Sequence, residues 1–167
     1  MKTKLLFQIG LCAVVLSSCA SNKDYAVQRN KEIIRRYFDG WGNRGDPAVA
    51  DELIAPNVTL RNPPAILHSL EDYKKGMAVF HRAFPDLHFT IEDLIAEGDK
   101  AVVHWTLRAT QLGEYQDHPP TGKIITVSGI SLFRIAAGKI QEITVSMDRL
   151  GQAQQLGWLP APAPPAK

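Results

Sequence analysis

The chain has 167 residues, with 19 Lys plus Arg against 17 Asp plus Glu, 45% hydrophobic residues and 22% charged ones. That length suits one ordinary domain and not two, and the composition excludes a mostly disordered chain. A single apolar run, near the start, excludes a multi-span membrane protein.

Lys2 and Lys4 precede that run, which extends from Leu5 to Leu16. A charged segment followed by an apolar stretch of this length reads as a signal peptide, too short to span a bilayer comfortably. The run ends Leu16-Ser17-Ser18-Cys19, which resembles a bacterial lipobox, where cleavage precedes the Cys and its thiol carries a diacylglycerol. An ordinary signal peptide with a chance Cys and an uncleaved anchor are the alternatives. On the lipobox reading, residues 1–18 are a lipoprotein signal peptide, Cys19 is the lipidation site and 19–24 form a tether. Cys12 leaves with the signal, so no thiol remains for a disulfide, a metal or nucleophilic chemistry. Losing Lys2 and Lys4 also leaves 17 bases facing 17 acids. A mature chain of zero net charge has no global attraction for nucleic acid. By resemblance to lipoproteins of two-membrane bacteria, Ala20 after the Cys favours the outer membrane. The expected location is the cell envelope, lipid-anchored, on the periplasmic face of the outer membrane if the host has two membranes.

The domain is expected over 25–159. Ile33, Ile34, Tyr37, Phe38 and Trp41 fall on one face of a helix, ended by Gly42 and Gly45. Asp46-Pro47 reads as an N-cap with Pro at the first helical position. It opens a short helix carrying Val49, Leu53 and Ile54, which Pro56 stops. Val58 to Arg61 is a short strand before Pro63-Pro64. Ser69 and Asp72 resemble a capping box for a third helix with Leu70, Tyr73, Met77, Phe80 and Phe84 at helical spacing, ended by Pro85.

From Leu87 the pattern changes to strands. Leu87 to Ala96, Ala101 to Leu112, Lys123 to Ile135 and Lys139 to Met147 are four of them. Glu97-Gly98-Asp99-Lys100, the loop holding Pro119-Pro120-Thr121-Gly122, and Ala137-Gly138 separate them. Arg149 to Leu156 is a closing helix, and 160–167 is a Pro/Ala-rich flexible tail. Helices followed by a meander of strands argue an α+β domain, with helices packed on one face of a curved antiparallel sheet. Such a sheet leaves a cavity at its open end, a common small-ligand site.

Several segments in this order resemble the SnoaL-like polyketide cyclase (ester cyclase) family of the nuclear-transport-factor-2-like superfamily. They are Tyr37-Phe38, Trp41 and Asn43-Arg44-Gly45; Ala83-Phe84-Pro85-Asp86-Leu87; Ala96-Glu97-Gly98-Asp99; His104-Trp105-Thr106; Gly113-Glu114-Tyr115; Pro119 to Lys123; Phe133-Arg134-Ile135; Gly138-Lys139-Ile140; Glu142, Asp148 and Gln155-Leu156-Gly157. The resemblance covers roughly residues 30 to 157. It implies a cone-shaped α+β fold with a central cavity, and intramolecular aldol-type ring closure without a cofactor. That chemistry needs a base for an acidic C–H, donors for the enolate oxygen, and an apolar pocket. The family's acid/base Asp matches Asp148, which could equally be the N-cap of the closing helix.

The second strand carries His104, Thr106 and Arg108 on one face and Val103, Trp105 and Leu107 on the other. His104 is a candidate proton donor or shuttle, and Thr106 and Arg108 candidate substrate contacts. A solvent-facing polar stripe with a surface ion pair is the bland alternative. On the last strand Glu142, Thr144, Ser146 and Asp148 share a face, and Ile143, Val145 and Met147 the other. Relatives usually have Trp where Thr144 stands, and their His partner on the preceding strand has no clear match. A polar wall of Thr144 and Ser146 would give a wider pocket or one fitted to another substrate. His81, Tyr37 and Trp41 are further candidate substrate contacts, with helix-flank or core roles as alternatives. No metal motif, phosphate loop or nucleophile elbow is present in the sequence.

The leading expectation is thus a cofactor-free acid/base catalyst, cyclase- or isomerase-like, acting on a small hydrophobic carbonyl compound. The alternatives are a lipid-anchored small-ligand-binding protein without turnover and an interaction module. A homodimer through the outer sheet face is expected by resemblance. Which sheet face lines the cavity is not set by the pattern.

Overall fold

The architecture is set by a long aromatic helix that lies across a strongly alternating sheet. The structure, a computed structural model, describes residues 24–160. The expected signal peptide, Cys19 and the tail beyond 160 lie outside the described residues. The first helix, α1, runs from 24 to 43. It is α-helical to 36 and π-helical over Tyr37–Asn43. The wider π turn brings Tyr37, Phe38, Trp41 and Gly42 together on the buried side, and such segments are frequent at functional sites. Gly42 does not end the helix, as the spacing suggests. The chain reverses after Asn43, with Gly45 at φ 63°.

Helix α2 (Pro47–Leu53) is capped by Asp46, whose carboxylate accepts the Ala48 N–H at 2.9 Å. It leads directly into β1 (Ile54–Asn62), which is longer than the expected Val58–Arg61. Pro56 does not break this strand because it lies where the pairing with β6 is irregular, between Ile54 and Thr59, so its missing N–H disrupts no ladder. A cis Pro63-Pro64 bond precedes β2 (Ala65–Leu67). Helix α3 (Leu70–Ala83) follows. The Ser69 hydroxyl accepts from the Asp72 N–H and donates to the Asp72 carboxylate.

The four-strand meander has nearly the expected bounds: β3 (His88–Glu97), β4 (Lys100–Thr110), β5 (Ile124–Ala136) and β6 (Lys139–Met147). Helix α4 (Arg149–Leu156) closes the fold. Ala137 and Gly138 both take positive φ in the β5–β6 turn, as a tight two-residue hairpin requires. The sheet has six strands in the order β2-β1-β6-β5-β4-β3. It is mixed and not purely antiparallel, because β1 runs parallel to β6.

Burial alternates without a break along β4 and β5. Val103, Trp105, Leu107, Val127, Ser131 and Phe133 face the helices, and the intervening residues face outward. Three side-chain clamps hold the helices on this sheet. Asn43 exchanges two hydrogen bonds with the backbone of Phe89. Asp86 takes both the N–H and the hydroxyl of Thr110, bonds that hold its carboxyl below the usual carboxylate range. Gln155 brackets the backbone of Thr126. The family-like residues at 43, 86 and 155 therefore have structural work.

Candidate functional site

A cavity of about 230 Å³ lies between the concave sheet face and helices α1, α3 and α4. Its walls are mainly apolar and aromatic, including Phe38, Leu67, Met77, Phe80, Phe89, Trp105, Leu107, Val145 and Met147. Seven other lining residues can hydrogen-bond: Tyr37, Asn62, Tyr73, Tyr115, Ser131, Arg149 and Gln152. A volume below the ~300–1,000 Å³ typical of drug-sized pockets suits a small ligand.

The innermost polar feature is a pair of phenols. Tyr37 projects from the π segment and Tyr73 from α3, and their hydroxyls hydrogen-bond each other. The two residues are only 7% and 6% exposed. Burial pushes Tyr37 well above the ordinary phenol value of 10.0, and raises Tyr73 as well. Both hydroxyls therefore stay protonated at neutral pH. One donates to the other, and the second proton is free to point at a ligand oxygen. Aromatic packing fixes the pair. Tyr37 meets Phe38 and Phe133 edge-on, and Tyr73 meets Trp41 with ring centroids 5.7 Å apart. Across the cavity wall, the Trp105 indole N–H donates to Ser131 Oγ at 2.9 Å. That bond satisfies a buried donor and sets the ring plane.

Raised phenols make alkaline pH destabilising. An unfolded Tyr ionises near 10, below the folded value, so above that pH the unfolded state binds fewer protons than the native one. The phenols' contribution to stability is therefore constant up to about pH 10 and is lost beyond it as pH climbs toward the folded values. Tyr115 is raised by burial too. Spectrophotometric titration should show the phenolate absorbance of these three residues appearing together with loss of tertiary structure. Their ionisation in the intact fold would contradict the burial argument.

Of the residues singled out by sequence, Tyr37 lines the cavity. The others do not. Val145 and Met147 on β6 pair with Ser131 and Gly129 on β5. Paired residues share a face, and Ser131 faces inward. The polar set of β6 is therefore outside, so Thr144 and Ser146 do not form the cavity wall. Glu142 is on the same outer face and binds Arg134 and Arg61, which hold its carboxyl low. His104, Thr106 and Arg108 are likewise on the convex face, because Trp105 and Leu107 are turned inward. His104 Nδ1 lies 3.7 Å from the exposed Asp93 carboxylate.

Trp41 is a buried support behind Tyr73, not a lining residue. His81 lies under the Gly45 turn, and burial lowers its pKa. Asp148 is the N-cap of α4. Its exposed carboxylate accepts the Gly151 N–H at 2.7 Å, and it is flanked by Met147 and Arg149, which both line the cavity.

Sequence reasoning missed Tyr73, Asn62, Ser131, Arg149 and Gln152. Tyr73 reads as one more member of an apolar helix stripe, and nothing local announces its partner 36 residues away. Arg149 and Gln152 are three apart on α4, so a shared face was available from helix geometry.

A family model described as SnoaL-like polyketide cyclase matches residues 31–156. The chain belongs to this family. A solved protein described as a candidate SnoaL-like polyketide cyclase, from Jannaschia sp. CCS1, is 29% identical with a TM-score of 0.74, over 80% of this chain and 94% of that one. AclR from Streptomyces galilaeus, described as a candidate hydroxylase, is 25% identical with a TM-score of 0.73, over 82% and 86%. IdmH from Streptomyces antibioticus, described as a candidate polyketide cyclase, is 25% identical with a TM-score of 0.68, over 76% and 97%. Among curated proteins, none matches the sequence. The SnoaL-like fold is thus the α+β, nuclear-transport-factor-2-like architecture expected above, with the expected short strand lengthened into β1 and one further strand, β2, beyond it. The solved structures similar to this chain carry more than one described chemistry, so the cavity of this chain must supply the functional argument.

Proposed function

We propose that this SnoaL-like protein binds a small, mostly hydrophobic carbonyl compound and holds its carbonyl oxygen on the Tyr37–Tyr73 pair. The observation that carries the reading is a buried, protonated phenol pair in a cavity with mainly apolar walls. Donors fixed at the oxygen where negative charge develops stabilise an enolate without reorganisation. They acidify the neighbouring C–H, which is the first step of cofactor-free ring closure or isomerisation. Asp148, whose carboxylate caps α4 outside the cavity lining but between the lining residues Met147 and Arg149, is the candidate base of this reading. A second reading, ligand binding without turnover, is favoured by the hydrogen bond that commits Asp148 to the α4 cap.

Exchange of the methyl protons of acetophenone in D₂O, followed by NMR, separates the two. Asn caps a helix about as well as Asp, whereas Ala costs about 0.5–2 kcal/mol. Asp148→Asn should keep stability and ligand affinity yet slow exchange by about 10²–10⁴, the usual contribution of a general base. Exchange at the buffer rate with wild-type protein, despite binding, would establish the second reading. Exchange unchanged in Asp148→Asn would remove Asp148 as the base.

The address and assembly belong to the same proposal. The Lys2/Lys4, Leu5–Leu16 and Cys19 arrangement supports a lipid anchor in the cell envelope. Exposed Ile95, Val102, Ile130 and Leu132 on the convex face support a homodimer. Cys19→Ser should move the chain from the membrane to the soluble fraction, and Leu132→Glu should halve the mass seen by sedimentation. An unchanged fraction or mass would count against each in turn.

A further inference from the structure

Among the described residues, Arg149 is the one formally charged group lining the cavity. Its place is unfavourable on two counts. It occupies the first position of α4, where the positive end of the helix dipole disfavours a cation by about 0.3–1 kcal/mol. It is also half-buried against apolar walls, with no carboxylate oxygen within 4.0 Å among the described residues. A half-buried charge without a counter-ion is a standing penalty. An anion in the cavity would offset both.

The surroundings are built to aim the group. Asn62 Oδ1 on β1 accepts from Arg149 Nη2, which fixes the plane of the guanidinium. A guanidinium has five N–H donors, and this bond uses one of them. Gln152, one turn further on the same helix face, also lines the cavity and is only 5% exposed. Asn62, Arg149 and Gln152 thus make a second polar cluster, contributed by β1 and α4, whereas the phenol pair comes from α1 and α3.

We propose that the ligand of this cavity carries a carboxylate, and that Arg149 is the residue that selects it. The inference rests on the carbonyl-binding reading above and deepens it: the ligand is a small keto acid with an apolar body. A carboxylate matches the planar guanidinium fork in two parallel hydrogen bonds. Its single charge is neutralised by the single cation. A phosphate ester would bring nearly two negative charges into a cavity with one positive group, and leave part of that charge uncompensated away from water. A neutral ester or ketone would leave Arg149 without its counter-ion.

The test is isothermal calorimetry on the purified full-length chain with 4-oxo-4-phenylbutanoate and its methyl ester, two probes that differ in one charge. The acid should bind wild-type protein at least tenfold more tightly than the ester. Arg149→Gln should weaken the acid at least tenfold and leave the ester within threefold. Arg149→Lys should fall between, since it keeps the charge and loses the fork. Equal affinity of wild type for acid and ester would overturn the inference while leaving the carbonyl-binding reading intact. So would an Arg149→Gln variant that weakens both probes alike. Binding of neither probe would overturn both. The wild-type comparison stands even if a variant folds poorly.

Discussion

Tyr73→Phe is expected to lower the affinity for acetophenone by about tenfold, the worth of one well-placed donor, and to destabilise the fold by about 1–3 kcal/mol. The instability arises because the Tyr37 hydroxyl then lacks its partner in a buried setting. The double variant Tyr37→Phe/Tyr73→Phe removes both polar groups and leaves the ring packing in place. It should recover most of the lost stability and none of the lost affinity. That opposition separates a binding role from a packing role, since a pair that only knits α1 to α3 would move stability and affinity together. Urea denaturation alongside ligand titration checks it. Recovery of affinity in the double variant would show that the hydroxyls do not hold the ligand.

Gly129→Ala should cost about 1–3 kcal/mol or more, the range for overpacking a well-filled core. A Cβ at this position would lie 2.3 Å from Trp105 Cζ2, 2.5 Å from Cη2 and 2.9 Å from the Ser146 carbonyl oxygen. The methyl group is trapped between an indole and a backbone, and neither can move aside cheaply. Any relief shifts Trp105, whose N–H is held by Ser131 and whose ring forms a cavity wall. Ligand affinity should fall with stability. Gly76→Ala makes the contrast. Nothing lies within 4 Å of a Cβ there, and Ala is favoured over Gly in a helix interior by roughly 0.5–1 kcal/mol. That variant should gain stability although it also lines the cavity. Thermal melts of the two variants with opposite signs are the expected outcome. A Gly129→Ala melt at the wild-type temperature would refute the packing described for Trp105.

What the sequence revealed, and what it hid, divides by range. Asp46, Ser69 and Asp148 were legible as caps because a cap involves residues only two or three positions apart. The strands β3 to β6 were legible from alternation. The parity of β6 was not, since alternation defines two faces without saying which is inside. The partner strand decides it, through Ser131 and Gly129. That one ambiguity carried Thr144 and Ser146 into the expected wall, as the corresponding choice on β4 did for His104, Thr106 and Arg108. The π segment was hidden for another reason. Positions Ile33, Ile34, Tyr37, Phe38 and Trp41 satisfy an α-helical stripe, and the wider turn leaves the same residues buried. Parallel pairing of β1 with β6 joins residues some eighty positions apart, beyond any local signal. The site suffers most from this, because its phenols meet across 36 residues.

The infrared carbonyl band of acetophenone, labelled with carbon-13 at the carbonyl and bound to the protein, reports the grip on the ligand's oxygen most directly. The one free hydroxyl proton of the pair, donated to the oxygen, weakens the C=O bond. The bound band should therefore lie below that of the same ketone in an apolar solvent, and should return toward the solvent position in Tyr37→Phe/Tyr73→Phe with the ligand still bound at higher concentration. A band at the apolar-solvent position in the wild type, or one that the double variant leaves unmoved, would contradict the claim that this tyrosine pair grips the ligand's carbonyl.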